Sequence, residues 1–164
     1  MALPASNSTR FYAFFKPNAT DAAGRGVLSS IKDDLGLEVS SVKVADVYAV
    51  HGIPLSASDK EKLAKFLFSD VVVQDYSVDK EPFSKKDGDW LLEVGFKKGV
   101  TDNVGNTALI GMADVLGRPL PRGAAVRMSR QYCVKGKISQ KDAERICFGL
   151  LANSVIQDYS AKKL

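Results

Sequence analysis

Lys16-Pro17-Asn18-Ala19-Thr20-Asp21-Ala22-Ala23-Gly24 returns later in the chain as Lys97-Lys98-Gly99-Val100-Thr101-Asp102-Asn103-Val104-Gly105. Val72-Val73-Gln74-Asp75-Tyr76-Ser77 likewise returns as Val155-Ile156-Gln157-Asp158-Tyr159-Ser160. Asp21 and Asp102 lie 81 positions apart, and Asp75 and Asp158 lie 83 apart. Two blocks that hold register over a whole unit, with only a small net insertion between them, indicate a tandem duplication. The unit is longer than a solenoid repeat, so each copy is expected to be a small domain. Two such copies predict a covalent version of a symmetric dimer, locked face to face about an approximate twofold axis. A domain of that size is marginal alone, which calls for an extensive contact between the copies.

The rest of each copy fills in around these blocks. Phe11 to Phe15 is short and aromatic-rich, as strands are. Thr20-Asp21 offers a side-chain oxygen to the first amides of a helix, along which Val27, Leu28, Ile31 and Leu35 form one apolar stripe. Gly36 suits a left-handed helix stop. Val39 to Val50 reads as extended chain, bent into a hairpin near Ala45-Asp46. Ser56 and Asp59 form a capping box for a second helix carrying Leu63, Phe66 and Leu67, and Val71-Val72-Val73 opens a last strand. The second copy repeats this order. Leu91 to Phe96 is its strand, and Leu109, Met112, Ala113 and Leu116 stripe its first helix up to Gly117. Ala125 to Val134 is the extended middle. Ser139 to Asp142 opens the second helix, which carries Ala143, Ile146, Cys147, Leu150 and Leu151, and Val155-Ile156 begins the last strand.

Boundaries follow: an N-terminal tail at 1–9, a first copy at 10–78, a charged linker at 79–89 and a second copy at 90–161. One apolar stripe per helix places both helices of a copy on one face of a mainly antiparallel sheet. The fold class is therefore α+β, as two ferredoxin-like subdomains related by a pseudo-twofold axis. The uncovered face of each sheet is expected to meet the twin copy.

The 164 residues are 45% hydrophobic and carry a net charge of +4, unevenly placed. Residues 1–81 hold 9 Lys and Arg against 11 Asp and Glu, whereas residues 82–164 hold 14 against 8. Arg118, Arg122, Arg127, Arg130, Lys135 and Lys137 concentrate that excess in the second copy. They read as a solvated face or as a docking surface for an acidic partner. Cations do not interleave with exposed aromatics and no recognition helix is present, so nucleic acid is not an expected partner. No apolar run reaches membrane-spanning length, and Met1 to Ser6 lacks the charged and apolar regions of a secretory signal. The expectation is a cytoplasmic protein.

No reactive constellation emerges. His51 is the single histidine, at the end of an extended run beside Gly52, and reads as a turn-edge residue. Cys133 and Cys147 lack a C-x-x-C neighbour, and Cys147 falls in an apolar stripe, where a buried reduced thiol is expected. Lys16 and Lys97 beside helix starts could cradle a phosphate, but the serial glycines of phosphate loops are missing and Asp21 and Asp102 would repel an anion. Thr20, Asp21, Thr101 and Asp102 are read as helix caps. Gly24 and Gly105 are read as points of close approach to a strand or to the other copy. Asp75, Tyr76, Asp158 and Tyr159 read as strand-edge or inter-copy contacts. No catalytic, cofactor-binding or metal-binding residue is assigned.

These residues carry a resemblance. Val94-Gly95-Phe96-Lys97-Lys98-Gly99-Val100-Thr101-Asp102-Asn103-Val104-Gly105-Asn106-Thr107-Ala108 resembles the first strand, turn and helix of the PurS family. PurS is the small subunit of phosphoribosylformylglycinamidine synthase. Leu150-Leu151-Ala152-Asn153-Ser154-Val155-Ile156-Gln157-Asp158-Tyr159 is similar to that family's close, Leu-Leu-Ala-Asn-x-Val-Ile-x-Asp-Tyr. The first copy matches through Lys16-Pro17 and Asp21-Ala22-Ala23-Gly24, with Phe68-Ser69-Asp70-Val71 replacing Leu-Ala-Asn-x.

The resemblance implies a two-helix α+β fold that pairs as a dimer, in the tandem form that opens large fused synthases. It implies a non-catalytic part in purine biosynthesis, bridging a glutaminase (PurQ-like) and a synthetase (PurL-like) whose complex uses ATP, Mg²⁺ and glutamine. Further self-association fits the same picture. Arg127 and Arg130 are the candidate partner contacts of the basic half. The competing expectations are a regulatory pair of ferredoxin-like domains holding a small molecule between them, and a nucleic-acid binder using the basic half.

Overall fold

The computed structural model describes residues 8–164. The part of the N-terminal tail before Ser8, with the stretch read for a signal, lies outside the described residues. Six strands and four helices follow one another: β1 (Ser8–Phe15), α1 (Ala22–Leu35), β2 (Val39–His51), α2 (Ala57–Leu63), β3 (Gln74–Val78), β4 (Trp90–Phe96), α3 (Asn103–Leu116), β5 (Ala125–Gly136), α4 (Gln140–Ile146) and β6 (Gln157–Lys163). Both α2 and α4 run on into a wider π turn, Ala64–Phe68 and Cys147–Leu151. The fold is α+β. All strands join one antiparallel sheet in the order β3-β1-β2-β5-β4-β6.

The two long strands β2 and β5 form the centre of the sheet, paired from Val42 with Val134 to His51 with Ala125. The expected face-to-face packing is therefore not what the structure shows. The halves meet edge to edge, through backbone hydrogen bonds that satisfy the strand edges each half would otherwise expose. Nor does Val39 to Val50 bend into a hairpin. It is one strand to His51, because the carboxylate at Asp46 faces Arg130 of β5 across the seam rather than starting a turn.

The last strands also begin later than expected. Val71 to Val73, Val155 and Ile156 lie in turns, with Val72 and Val155 each 79% exposed. Side chains explain this: Asp70 Oδ1 accepts from the Val72 amide and Asn153 Oδ1 from the Val155 amide. Gln74 Oε1 and Gln157 Oε1 accept from the Asp70 and Asn153 amides in return. These local turns override the β-propensity of valine.

Strand alternation puts Val42, Val44, Tyr48 and Val50 of β2 on the same face as Val126, Tyr132 and Val134 of β5, and all four helices cover that face. Helices pack across the seam. Ile31 of α1 meets Ile146 and Cys147 of the second half over Trp90, Leu92 and Val134. Met112 and Ala108 of α3 meet Leu63 and Phe68 of the first half over Phe11, Val50 and Val126. Each fully buried side chain of this size contributes about 1.5–3 kcal/mol, so the halves share one hydrophobic ledger.

The opposite face of the sheet is crossed by residues 79–89. Phe83 buries itself against Ala45, Leu91 and Cys133, while Lys43 pairs with Asp87 at 2.8 Å. The linker is thus a strap that covers part of the face assigned by sequence to the twin copy.

Candidate functional site

The recurring Thr-Asp-x-x-Gly element is a helix-to-sheet clip. Asp21 Oδ1 accepts from the Gly24 amide at 2.7 Å and its Oδ2 from the Val44 amide of β2 at 2.9 Å. Asp102 does the same with Gly105 at 2.7 Å and Met128 of β5 at 2.6 Å. Each carboxylate thereby satisfies one orphan amide of the helix start and ties that start to the central sheet. Glycine is required three residues on. A Cβ at Gly24 would collide with the Val42 carbonyl oxygen, and one at Gly105 with that of Val126. Thr20 and Thr101 precede these caps and make no side-chain hydrogen bond among the described residues.

Lys16 and Lys97 point elsewhere. Lys16 Nζ donates to the Val71 and Val72 carbonyls and Lys97 Nζ to the Ser154 carbonyl, so each lysine braces the turn before an outer strand. With the amides taken by aspartate and the lysines taken by carbonyls, neither helix start is arranged as a phosphate cradle. Asp75 and Tyr76 lie on β3, and Asp158 and Tyr159 on β6, which are the two outermost strands of the sheet. They are strand-edge residues at opposite ends of the molecule, and neither strand touches the other half's ladder.

The six cations singled out in the second half are dispersed rather than gathered on one face. Arg118 bridges to Asp59 at 3.0 Å and to the Pro54 carbonyl, joining the end of α3 to the start of α2. Arg130 lies at the centre of the seam, its Nε 2.7 Å from Asp46. Burial alone would lower its pKa, but Asp46 and Tyr132 together outweigh this and leave it raised. Arg127 lies on the strap face, with a 3.4 Å hydrogen bond to the Val100 carbonyl. Arg122, Lys135 and Lys137 are exposed.

A half-buried polar knot on the strap face has no counterpart in the sequence reading. Arg10 of β1 reaches across the seam to Glu93 of β4 with two contacts of 2.8 and 3.0 Å. Ser129 donates to the same carboxylate, and fully buried Gln131 donates to both Glu93 and Glu81 of the strap. Tyr12 lies beneath Arg10, 5.5 Å from ring centre to guanidinium, and burial pushes its hydroxyl up to about 12. The knot ties first half, second half and strap together. The signal available in the sequence was an isolated Glu93 inside an apolar strand, which alternation alone assigns to the face away from the helices.

Among the described residues, reactive groups are not gathered into a centre. Burial holds the thiols of Cys133 and Cys147 at about 12, the opposite of an activated nucleophile. His51 is lowered by burial and then by Arg127 and Arg10. Among the described residues, no three of His, Cys, Asp and Glu converge, and no helix is long and apolar enough to cross a membrane. One depression, of about 490 Å³, is an open dip between Lys32, Glu38, Ser40 and Lys137. A second of about 300 Å³ lies beside Arg127 and the turn at Gly99 to Asp102. No family model and no curated protein matches the chain.

Proposed function

We propose that this chain is a non-catalytic assembly module, built as a fused pair of PurS-like halves about a pseudo-twofold axis. Its partners are the glutaminase and ATP-dependent synthetase parts of a phosphoribosylformylglycinamidine synthase. ATP, Mg²⁺ and glutamine are used by those parts and not held by this one.

The observation that carries the reading is the register of the sheet. Asp46 of β2 pairs with Ala13 of β1, and Arg130 of β5 with Val94 of β4. Ala13 pairs in turn with Tyr76 of β3, and Val94 with Tyr159 of β6. Offsets of 81, 84 and 83 positions, close to those of the sequence blocks, relate Ala13 to Val94, Asp46 to Arg130 and Tyr76 to Tyr159. Asp46 and Arg130 hold matching places and face each other. A dimer interface on its axis, carried within one chain, would have this register, and that supports the reading. Fusion replaces a bimolecular pairing with one at an effective concentration of about millimolar. A rigid, doubly clipped scaffold without an activated group suits bridging better than chemistry.

Affinity capture of the chain from its own cells tests this. A glutaminase and a synthetase are expected to co-purify, and their absence from a capture that retains other partners refutes the assignment.

A further inference from the structure

Lys43 and Arg127 occupy matching places with different company. Lys43 follows the residue whose carbonyl faces Gly24 and precedes the amide held by Asp21. Arg127 follows the residue whose carbonyl faces Gly105 and precedes the amide held by Asp102. Alternation directs both to the strap face. At Lys43 the chain provides its own ligand, Asp87, and the strap's Phe83 grips the adjoining apolar floor of Leu91 and Cys133.

At Arg127 no such segment arrives. Among the described residues no carboxylate lies within ion-pair distance of it, and its one hydrogen bond is the long contact to Val100. Residues 1–7 contain no Asp or Glu that could serve. The floor differs as well. Arg10 and Ala49 stand where Leu91 and Cys133 stand at the other end, in one row with Arg127, and His51 lies on the next pair of residues. The apolar grip is absent there: Arg10 is already held by Glu93, which leaves Arg127 as the cation of this row that no carboxylate of the described residues meets.

From this contrast we infer that the Arg127 end of the strap face docks an extended acidic segment of a partner protein. One carboxylate meets Arg127 as Asp87 meets Lys43, and the segment lies across the sheet as the strap does at the other end. The inference rests on reading the chain as a docking scaffold of two matching halves. It adds where one contact is made and with what chemistry.

The test uses the full chain and a fluorescein-labelled decapeptide of alternating glutamate and serine, followed by anisotropy at low salt. Arg127→Glu is expected to weaken binding about tenfold or more, the loss of a charge-assisted contact. Lys137→Glu, an equal change of charge at an exposed site elsewhere, should cost less than about threefold. The thermal melt of each variant checks that the fold is kept. Equal weakening by both variants would reduce the effect to net charge and overturn the proposal, as would absence of binding. Tighter binding of a ten-residue thymidine oligonucleotide with the same dependence on Arg127 would overturn it in favour of nucleic acid. Because the assay contains neither synthetase nor glutaminase, it can succeed where the capture experiment fails, and the reverse.

Discussion

The pair Asp46–Arg130 lies where the two halves meet, and exchanging its two residues is the sharpest perturbation the structure offers. The contact is 2.7 Å, with 26% of the Asp46 side chain and 41% of the Arg130 side chain exposed. Such a pair falls between exposed bridges, worth about 0.2–1 kcal/mol, and buried ones, whose breakage costs about 3–5 kcal/mol. Solvent screening at this exposure argues for the lower part of that interval. We expect Arg130→Ala and Asp46→Ala each to destabilise by about 1–2 kcal/mol, with a coupling of about 1 kcal/mol in the double variant. Asp46→Arg alone sets two guanidinium groups against each other and should cost about 3 kcal/mol.

The double exchange Asp46→Arg with Arg130→Asp should recover most of this loss, because each residue arrives in a matching setting. Arg130 has Tyr132 two residues on, and position 46 has Tyr48. Urea unfolding followed by the fluorescence of Trp90, the only tryptophan and 4% exposed, measures these variants together with Arg130→Asp at one site of the second half. An unchanged denaturant slope would show that stability and not compactness has moved. If the exchanged variant is as unstable as the sum of its two single charge reversals, the places are not equivalent and the reasoning fails.

Three further outcomes follow from the same geometry. Gly24→Ala should destabilise by about 1–3 kcal/mol through its clash with the Val42 carbonyl, whereas Gly26→Ala, with open space around it, should stabilise by about 0.5–1 kcal/mol; thermal melts read the opposite signs. Asp102→Ala removes acceptors from the Gly105 and Met128 amides at a buried site and should cost about 2–3 kcal/mol, while slowing of amide exchange at Met128 is lost in the variant. His51 has a folded pKa below its ordinary 6.5, so the unfolded chain takes up its proton first as pH falls. Its contribution is present above about 6.5 and is lost as pH drops toward the lowered folded value. His51→Gln should therefore flatten stability between pH 7.5 and 5.5 relative to wild type, and parallel profiles would contradict this.

Helix starts and stops were legible because they are local. Asp21 and Asp102, the capping boxes at Ser56 and Ser139, and the left-handed stops at Gly36 and Gly117 all act within a few residues of themselves. The strand errors had two sources. At Val71 and Val155, Asx turns overrode a propensity, and the asparagine and aspartate responsible were in plain view. At Asp46 no local rule could help, since its partner lies on another strand of the other half.

The relation between halves was the larger miss. Helices expected on one face of each sheet left the other face to be covered by the twin copy, whereas the strap at residues 79–89, with Phe83 against Ala45, Leu91 and Cys133, covers part of it. The places where the halves cease to match are Lys43 against Arg127, Asp46 against Arg130, and Leu91 against Arg10. A repeat-based reading weighs likeness and so passes over them. Under the proposed duplication they are the informative positions. Identical copies would set Asp46 against Asp46 at the seam, and would need the same ligand at both cationic places. Divergence within one chain converts a self-repelling contact into an ion pair and leaves one cationic place covered by the strap and the other open to a partner.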